Sequence, residues 1–178
     1  MMGLSARHII SACEASLRRL HTDRIDLNPM HHGGRATPVD ETLGALELLL
    51  QQGKIIYFGS SNFAGWLLAG FQERARARGT QGLLSEHSLH NLLSREMELE
   101  VCRACREYGI GMIPWSPQAS GILGGTAGAH QGGRRSDAQT RDRGQRHCEQ
   151  RAAYQRLCQE VGSPPSEAAL AWLLDQPG

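Results

Sequence analysis

Four short aliphatic runs recur along the chain at intervals of roughly 28 residues, the length of one strand followed by one helix. The runs begin near Ile25, Ile55, Leu83 and Ile110. Strands that alternate strictly with helices predict a parallel sheet joined by right-handed crossovers. This spacing constrains the fold more than any other feature of the sequence.

The segments between these runs carry helix signals. Pro38 stands where a first helical residue is expected, Asp40 where a capping-box acid would stand, and Gly53 after the last turn. Apolar side chains repeat at helical spacing in three segments: Ile10, Cys13, Leu17 and Leu20; Val39, Leu43, Leu46 and Leu50; and Met97, Val101, Ala104 and Tyr108. Each predicted helix therefore leads into a strand within a few residues.

A barrel is the favoured arrangement of these strands. No G-x-G-x-x-G motif follows any of the four runs, so an open dinucleotide-binding sheet lacks its main sequence signal. In barrels of this type the active site is built at the carboxyl ends of the strands. An open sheet would also bind ligands there, so the polar clusters at these ends predict a site without deciding the architecture. They are His31 and His32; Ser60, Ser61 and Asn62; Ser85, Glu86 and His87; and Trp115 and Ser116.

Composition limits the classes of binding partner and the cellular compartment that we expect for this protein. The 178 residues are 40% hydrophobic with a formal net charge of +1, which provides no global field for nucleic acid or anionic lipid. Five cysteines, no secretory leader and no long apolar run predict a reduced cytoplasmic chain without a membrane segment. We expect one domain over residues 1–178, with a long mobile loop over 121–147, where the apolar periodicity is lost.

Four stretches of the sequence resemble a known family. They are SLRRLHTDRIDL, then TPVDETLGALELLLQQGKIIYFGSSNFAGW, then SEHSLHNLLSREMELEVCRACREYGIGMIPWSP, and finally ALAWLLDQPG. In this order they are similar to the aldo-keto reductases, NADP(H)-dependent enzymes built on a (β/α)8 barrel. The resemblance implies an incomplete barrel with about four parallel strands. It also implies hydride transfer between NADP(H) and a small-molecule aldehyde or ketone, or the corresponding alcohol, without a metal.

The resemblance also implies roles for individual residues. His31 matches the catalytic histidine that helps to hold and polarise the substrate carbonyl. Ser61 and Asn62 match the pair that binds the nicotinamide carboxamide, and His87 stands where the family has a glutamine that contacts the same group. Without the family register, the same residues would be interpreted as polar turns and a core aromatic. The remaining matches are Trp115, on which the nicotinamide ring stacks, and Ser116, Ser120 and Gly121 of the loop over the pyrophosphate.

Other family residues have no match in this chain. The catalytic aspartate, tyrosine and lysine are expected before Met1 and the 2′-phosphate site after Gly178, because a complete barrel takes about 250 residues. Lys54 stands at the amino end of its strand, away from the catalytic face, and none of the three tyrosines follows the family's proton-donor motif. We therefore expect a reductase truncated at both ends.

Two alternatives to an active reductase remain open at this stage. The missing residues favour a non-catalytic reductase remnant or a nicotinamide-nucleotide-binding module. A thiol metal site is permitted by Cys102-x-x-Cys105 together with His147, Cys148 and Cys158. The first two cysteines fall inside a predicted helix, however, and the other three residues flank a long loop without ribbon or finger spacing. An open piece of barrel has two unpaired sheet edges, which predicts self-association.

Overall fold

A computed structural model of the chain describes residues 3–32, 36–125, 142 and 144–176. Its helices and strands are α1 (Ala6–Leu20), β1 (Ile25–His31), α2 (Val39–Gln51), β2 (Ile55–Ser61), α3 (Gly65–Ala77), β3 (Ser85–Leu89), α4 (Val101–Tyr108), β4 (Gly111–Trp115), α5 (Cys148–Glu160) and α6 (Pro165–Leu174), with short 3-10 helices at Glu96–Leu99 and Ala119–Gly124. The described residues form two compact units. The first unit contains residues up to 88 and residues 97–113, and the second contains 89–96 and residues from 114 onward.

The four strands form one sheet in the order β1, β2, β3, β4. The β1–β2 and β2–β3 pairs are both parallel, with Ile25 beside Ile55 at one end and His31 beside Ser61 at the other. This confirms the prediction of a parallel sheet flanked by helices, as in part of a (β/α)8 barrel. Sequence order equals sheet order because each helix returns the chain to the amino end of the next strand.

The third and fourth strands begin later than predicted. Gln72 explains the delay at β3: its side-chain amide accepts a hydrogen bond from the Leu83 N–H at 2.7 Å and donates one to the Leu83 carbonyl at 3.2 Å. Leu83 is therefore bound to a helix side chain, and β3 begins at Ser85. Ile110 donates its N–H to the Cys105 carbonyl at the end of α4, so β4 begins at Gly111.

The core of the first unit lies between the sheet and its helices. The largest side chains without solvent exposure include Leu43, Leu46 and Phe58. The predicted helix stripes are partly wrong in phase: α1 buries Ile9, Cys13 and Leu17, whereas Leu20 is 64% exposed. Leu20 ends the helix, and the chain then turns at His21 in the left-handed conformation.

Two helices of the first unit are capped by carboxylates from distant parts of the chain. Glu41 accepts a hydrogen bond from the Ala6 N–H at 3.0 Å, and Glu100 accepts one from the Trp66 N–H at 2.8 Å. Acidic groups stabilise helix N-termini because unpaired N–H groups are exposed there. The predicted capping role of Asp40 is wrong: its carboxylate forms ion pairs with Arg74 and Arg78 instead.

The second unit has its own small core, in which Ala119, Ile122, Leu123 and Ala169 are buried. Tyr154 packs against it and donates a hydrogen bond from its hydroxyl to the Pro165 carbonyl, which joins α5 to α6. Most of the loop predicted over 121–147 lies outside the described residues, and both it and the single-domain assignment stay predictions. Among the described residues, no helix is long and apolar enough to cross a membrane.

Candidate active site

Three of the candidate residues form one row across the carboxyl ends of β1, β2 and β3. His31 is the register partner of Ser61, and Ser61 is the register partner of His87. Neighbouring parallel strands lie about 4.8 Å apart, and register partners present their side chains on the same face of a sheet. The sheet register therefore brings together residues that are separated by 30 and 26 positions in the sequence.

The backbone carbonyl of His87 holds the end of β2 in place. It accepts one hydrogen bond from the Ser61 hydroxyl at 2.9 Å and another from the Asn62 N–H at 3.1 Å. The Asn62 side-chain amide donates in turn to the Ser61 Oγ at 2.9 Å. Asn62 has φ +57°, a left-handed conformation that asparagine tolerates better than most residues, so the chain turns here immediately after the strand.

His31 ends β1 with an exposed imidazole. Its ring contacts that of His32 edge to face, with centroids 4.1 Å apart. His32 has φ +60° and donates its N–H to the Ser61 carbonyl at 3.0 Å, which continues the β1–β2 pairing past the strand. The exposed ring of His31 thus stands on a backbone fixed by Ser61, beside the Ser61–His87 pair.

The position below Ser61 has no room for a side chain. Gly59 and Pro29 are register partners, and a Cβ on Gly59 would lie 2.2 Å from the Ser85 Oγ and 2.8 Å from the Ser85 carbonyl oxygen. Ser85 is buried, and its hydroxyl has no hydrogen-bond partner among the described residues. The strands β2 and β3 therefore approach closely beneath Ser61 and His87.

The remaining candidate residues belong to the second unit. Trp115 is the last residue of β4, with 36% of its surface exposed, and Ser116 follows it. The Ser116 Oγ accepts a hydrogen bond from the Ser120 N–H at 3.0 Å, which closes a tight loop. Ser116, Ala119, Ser120 and Gly121 all have positive φ, so the backbone of this loop is left-handed at four of six positions.

Two buried residues that the sequence analysis did not assign support these loops. The Asn91 side chain donates to the Ser116 carbonyl at 2.9 Å and accepts from the Leu93 N–H at 2.9 Å. Glu86, with no exposed surface, accepts from the Ser60 and Ser88 hydroxyls and from the Phe63 N–H. Their place among the polar residues at the strand ends was the sequence signal for Ser60 and Glu86.

The chain matches the model of the aldo/keto reductase family over residues 1–178. The chain belongs to this family. It is 44% identical to the uncharacterized oxidoreductase YrpG of Bacillus subtilis over 177 residues, which cover 99% of this chain and 54% of YrpG. It is 34% identical to the aldo-keto reductase dtxS3 of Metarhizium robertsii over 96% of this chain and 48% of dtxS3. The versiconal hemiacetal acetate reductase of Aspergillus parasiticus shares 40% identity over 122 residues, 68% of this chain and 35% of that protein.

The chain therefore spans about half the length of the curated relatives that it matches along its whole length.

None of the three tyrosines of this chain lies in the row formed by His31, Ser61 and His87. Tyr57 precedes Ser61 in β2 by four residues, which is about 13 Å along a strand. Tyr108 ends α4, and the Tyr154 hydroxyl is bound in the second unit. Lys54 forms an ion pair with Glu14 at the amino end of β2.

The cysteines are distributed over both units. Cys102 and Cys105 lie buried in α4, and burial together with the negative charge of Glu86 raises the pKa of the Cys105 thiol to about 12. Cys158 is buried and Cys148 is exposed. Within the described residues, no three His, Cys, Asp or Glu side chains are grouped so that they could hold a metal ion.

Proposed function

We propose that this chain binds the nicotinamide half of a dinucleotide at the carboxyl ends of β1, β2 and β3. The family activity to which such a site would contribute is cytoplasmic hydride transfer between NADP(H) and an aldehyde or ketone, and we do not expect these 178 residues alone to perform it. The observation that carries the proposal is the row in which His31, Ser61 and His87 are register partners on three adjacent strands.

The chemistry of this row fits a nicotinamide carboxamide. That group has one carbonyl acceptor and two N–H donors, so it needs a donor and an acceptor side by side. The Ser61 hydroxyl and the Asn62 amide provide both functions, and a neutral imidazole at His87 also provides one of each.

His31 is the residue that fits a carbonyl substrate. Its imidazole is exposed at the end of β1, and an imidazole N–H can donate a hydrogen bond to a carbonyl oxygen. Such a bond stabilises the negative charge that develops on that oxygen during reduction. The bound reduced nicotinamide supplies the hydride. His31 would then orient and polarise the acceptor, while Ser61 and Asn62 orient the carboxamide.

The second unit offers cofactor contacts of its own in Trp115 and in the loop of Ser116, Ser120 and Gly121. A half-exposed indole offers an apolar face on which a nicotinamide ring can stack. The left-handed backbone turns of the loop are conformations that bring backbone N–H groups toward an anion such as a pyrophosphate. NADP(H) is the cofactor that we propose, although the contacts named here involve the nicotinamide half, which NADPH and NADH share.

Calorimetric titration with NADPH tests this function. Ser61→Ala removes the hydroxyl that bonds to both His87 and Asn62, and we expect it to weaken NADPH binding about tenfold, the effect of losing one buried hydrogen bond. Ser11→Ala is the matched control, because Ser11 is an exposed serine that bonds only to its own helix. Equal affinity of both variants, or no binding by the unmodified chain, would contradict the proposal.

A further inference from the structure

We infer that Glu86 is a positioning residue for the nucleotide site. Its side chain lies on the opposite face of the sheet and fixes the turn that contains Ser61 and Asn62. The inference rests on the proposed function for its ligand, but its geometry stands on the described residues alone. Nothing in the sequence comparison assigns a role to this residue.

Glu86 binds the chain on both sides of the Ser61–Asn62 pair. One carboxylate oxygen accepts from the hydroxyl of Ser60, and the other accepts from the Phe63 N–H at 3.2 Å. Ser60 directly precedes the pair and Phe63 directly follows it. A single side chain on β3 therefore fixes both ends of the turn after β2.

The turn needs this support because of its conformation. Asn62 has φ +57°, and a non-glycine residue adopts such a conformation at an energetic cost that surrounding contacts must offset. With Ser60 and Phe63 held by Glu86, the Ser61 hydroxyl and the Asn62 N–H both reach the carbonyl of His87. Loss of the carboxylate leaves the buried Phe63 N–H without its acceptor, which favours a different path of the chain.

Glu86 acts through the turn because its own side chain lies on the other face. It precedes His87, and successive residues of a strand point to opposite faces of the sheet. Glu86 is fully buried, and it accepts from the hydroxyl of Ser88, which shares its face of β3, and from the hydroxyl of Ser60. A ligand resting on His31, Ser61 and His87 does not touch it.

Three variants test this role. Glu86→Gln keeps an acceptor for the Phe63 N–H, and its amide can donate to Ser60, whose hydroxyl also lies 3.4 Å from the Ser85 carbonyl. Glu86→Met has similar length but no acceptor, so the Ser60 and Ser88 hydroxyls and the Phe63 N–H lose their shared partner. Thr42→Val is the matched control, since it removes a buried hydroxyl that bonds to the Leu4 carbonyl far from the turn.

Amide hydrogen exchange without nucleotide is the first measurement, followed by the dissociation constant for NADPH. In Glu86→Met we expect the Asn62 and Phe63 amides to exchange at least about tenfold faster, and NADPH to bind at least about tenfold more weakly. Glu86→Gln and Thr42→Val should stay within about threefold of the unmodified chain in both measurements. Unchanged exchange at both amides in Glu86→Met, or equal acceleration in Thr42→Val, would overturn the inference.

The test also covers a Glu86→Met variant that does not fold and an unmodified chain that does not bind NADPH. If Glu86→Met does not fold, Ser60→Ala removes only the bond on the β2 side, and faster exchange confined to Ser61, Asn62 and Phe63 would be the supporting result. Unchanged exchange there would overturn the inference. If the unmodified chain does not bind NADPH, the proposed function fails, whereas the exchange data still decide whether Glu86 positions the turn.

Discussion

The Ser61 hydroxyl donates a hydrogen bond to the backbone carbonyl of His87 at 2.9 Å, which joins the carboxyl ends of two adjacent parallel strands. Its partner atom is a backbone oxygen, so the imidazole of His87 is not needed for this contact. The same carbonyl also holds the Asn62 N–H. The position of the turn therefore depends on the backbone of β3. The side chain at position 87 is not needed for it and can contact a ligand instead.

The close approach beneath this pair predicts the effect of a methyl group. Gly59→Ala would place a Cβ 2.2 Å from the Ser85 Oγ, and the backbone oxygen of Ser85 at 2.8 Å limits relaxation. We expect the free energy of unfolding to fall by about 1–3 kcal/mol, the usual cost of overpacking, in a urea titration. Gly44→Ala in α2 is the control, with its nearest atom at 3.9 Å, and should raise that free energy by about 0.5–1 kcal/mol. Equal effects of the two substitutions would show that the strands at Gly59 have room to separate.

Absence of turnover is the second prediction. No tyrosine lies in the row of His31, Ser61 and His87, and Lys54 is bound to Glu14 at the other end of β2. Loss of a positioned general acid alone costs about 10²- to 10⁴-fold in rate. We expect no measurable NADPH oxidation by these 178 residues with a panel of aldehydes and ketones. Robust turnover that is abolished by His31→Ala would contradict this and indicate that another group supplies the proton.

Weak discrimination between nucleotides is the third prediction. The contacts proposed here involve the nicotinamide half, and the resemblance places the 2′-phosphate site in a segment without a counterpart among these 178 residues. Charge-assisted bonds to phosphate are the strong ones, so their absence should leave NADPH and NADH within about fivefold in affinity. Quenching of tryptophan fluorescence, with Trp115→Phe to assign the signal, measures this ratio. A strong NADPH preference would show that the chain holds a phosphate site of its own.

Much of the fold could be predicted from the sequence because strand spacing and helix periodicity are local signals. The period of the aliphatic runs predicted four parallel strands, and the polar residues after them predicted where a site would lie. The start of β3 was missed because Gln72 binds both polar groups of the Leu83 backbone, a contact across 11 positions. The role of Glu86 was missed for a similar reason, since its bonds to Ser60 and Phe63 exist only once β2 and β3 are paired.

Self-association is the fourth prediction. In the described sheet β1 and β4 are edge strands, and unpaired edges favour pairing with another chain. We expect the mass measured by light scattering to rise with protein concentration. Asn28→Lys places a charge in β1, which should reduce this association if that edge pairs. A monomer at all concentrations with a sharp unfolding transition would mean that the edges are covered in another way.

The central claim is that His31, Ser61 and His87 form the nicotinamide site, and imidazole NMR spectra of the histidine-labelled chain test it most directly. Addition of NADH or NADPH should shift the ring signals of His31 and His87, because both lie in the row that receives the ligand. His21, which follows α1, should keep its signals. A shift at His21 with none at His31 and His87, or no shift at any of these three residues at saturating nucleotide, would contradict the account.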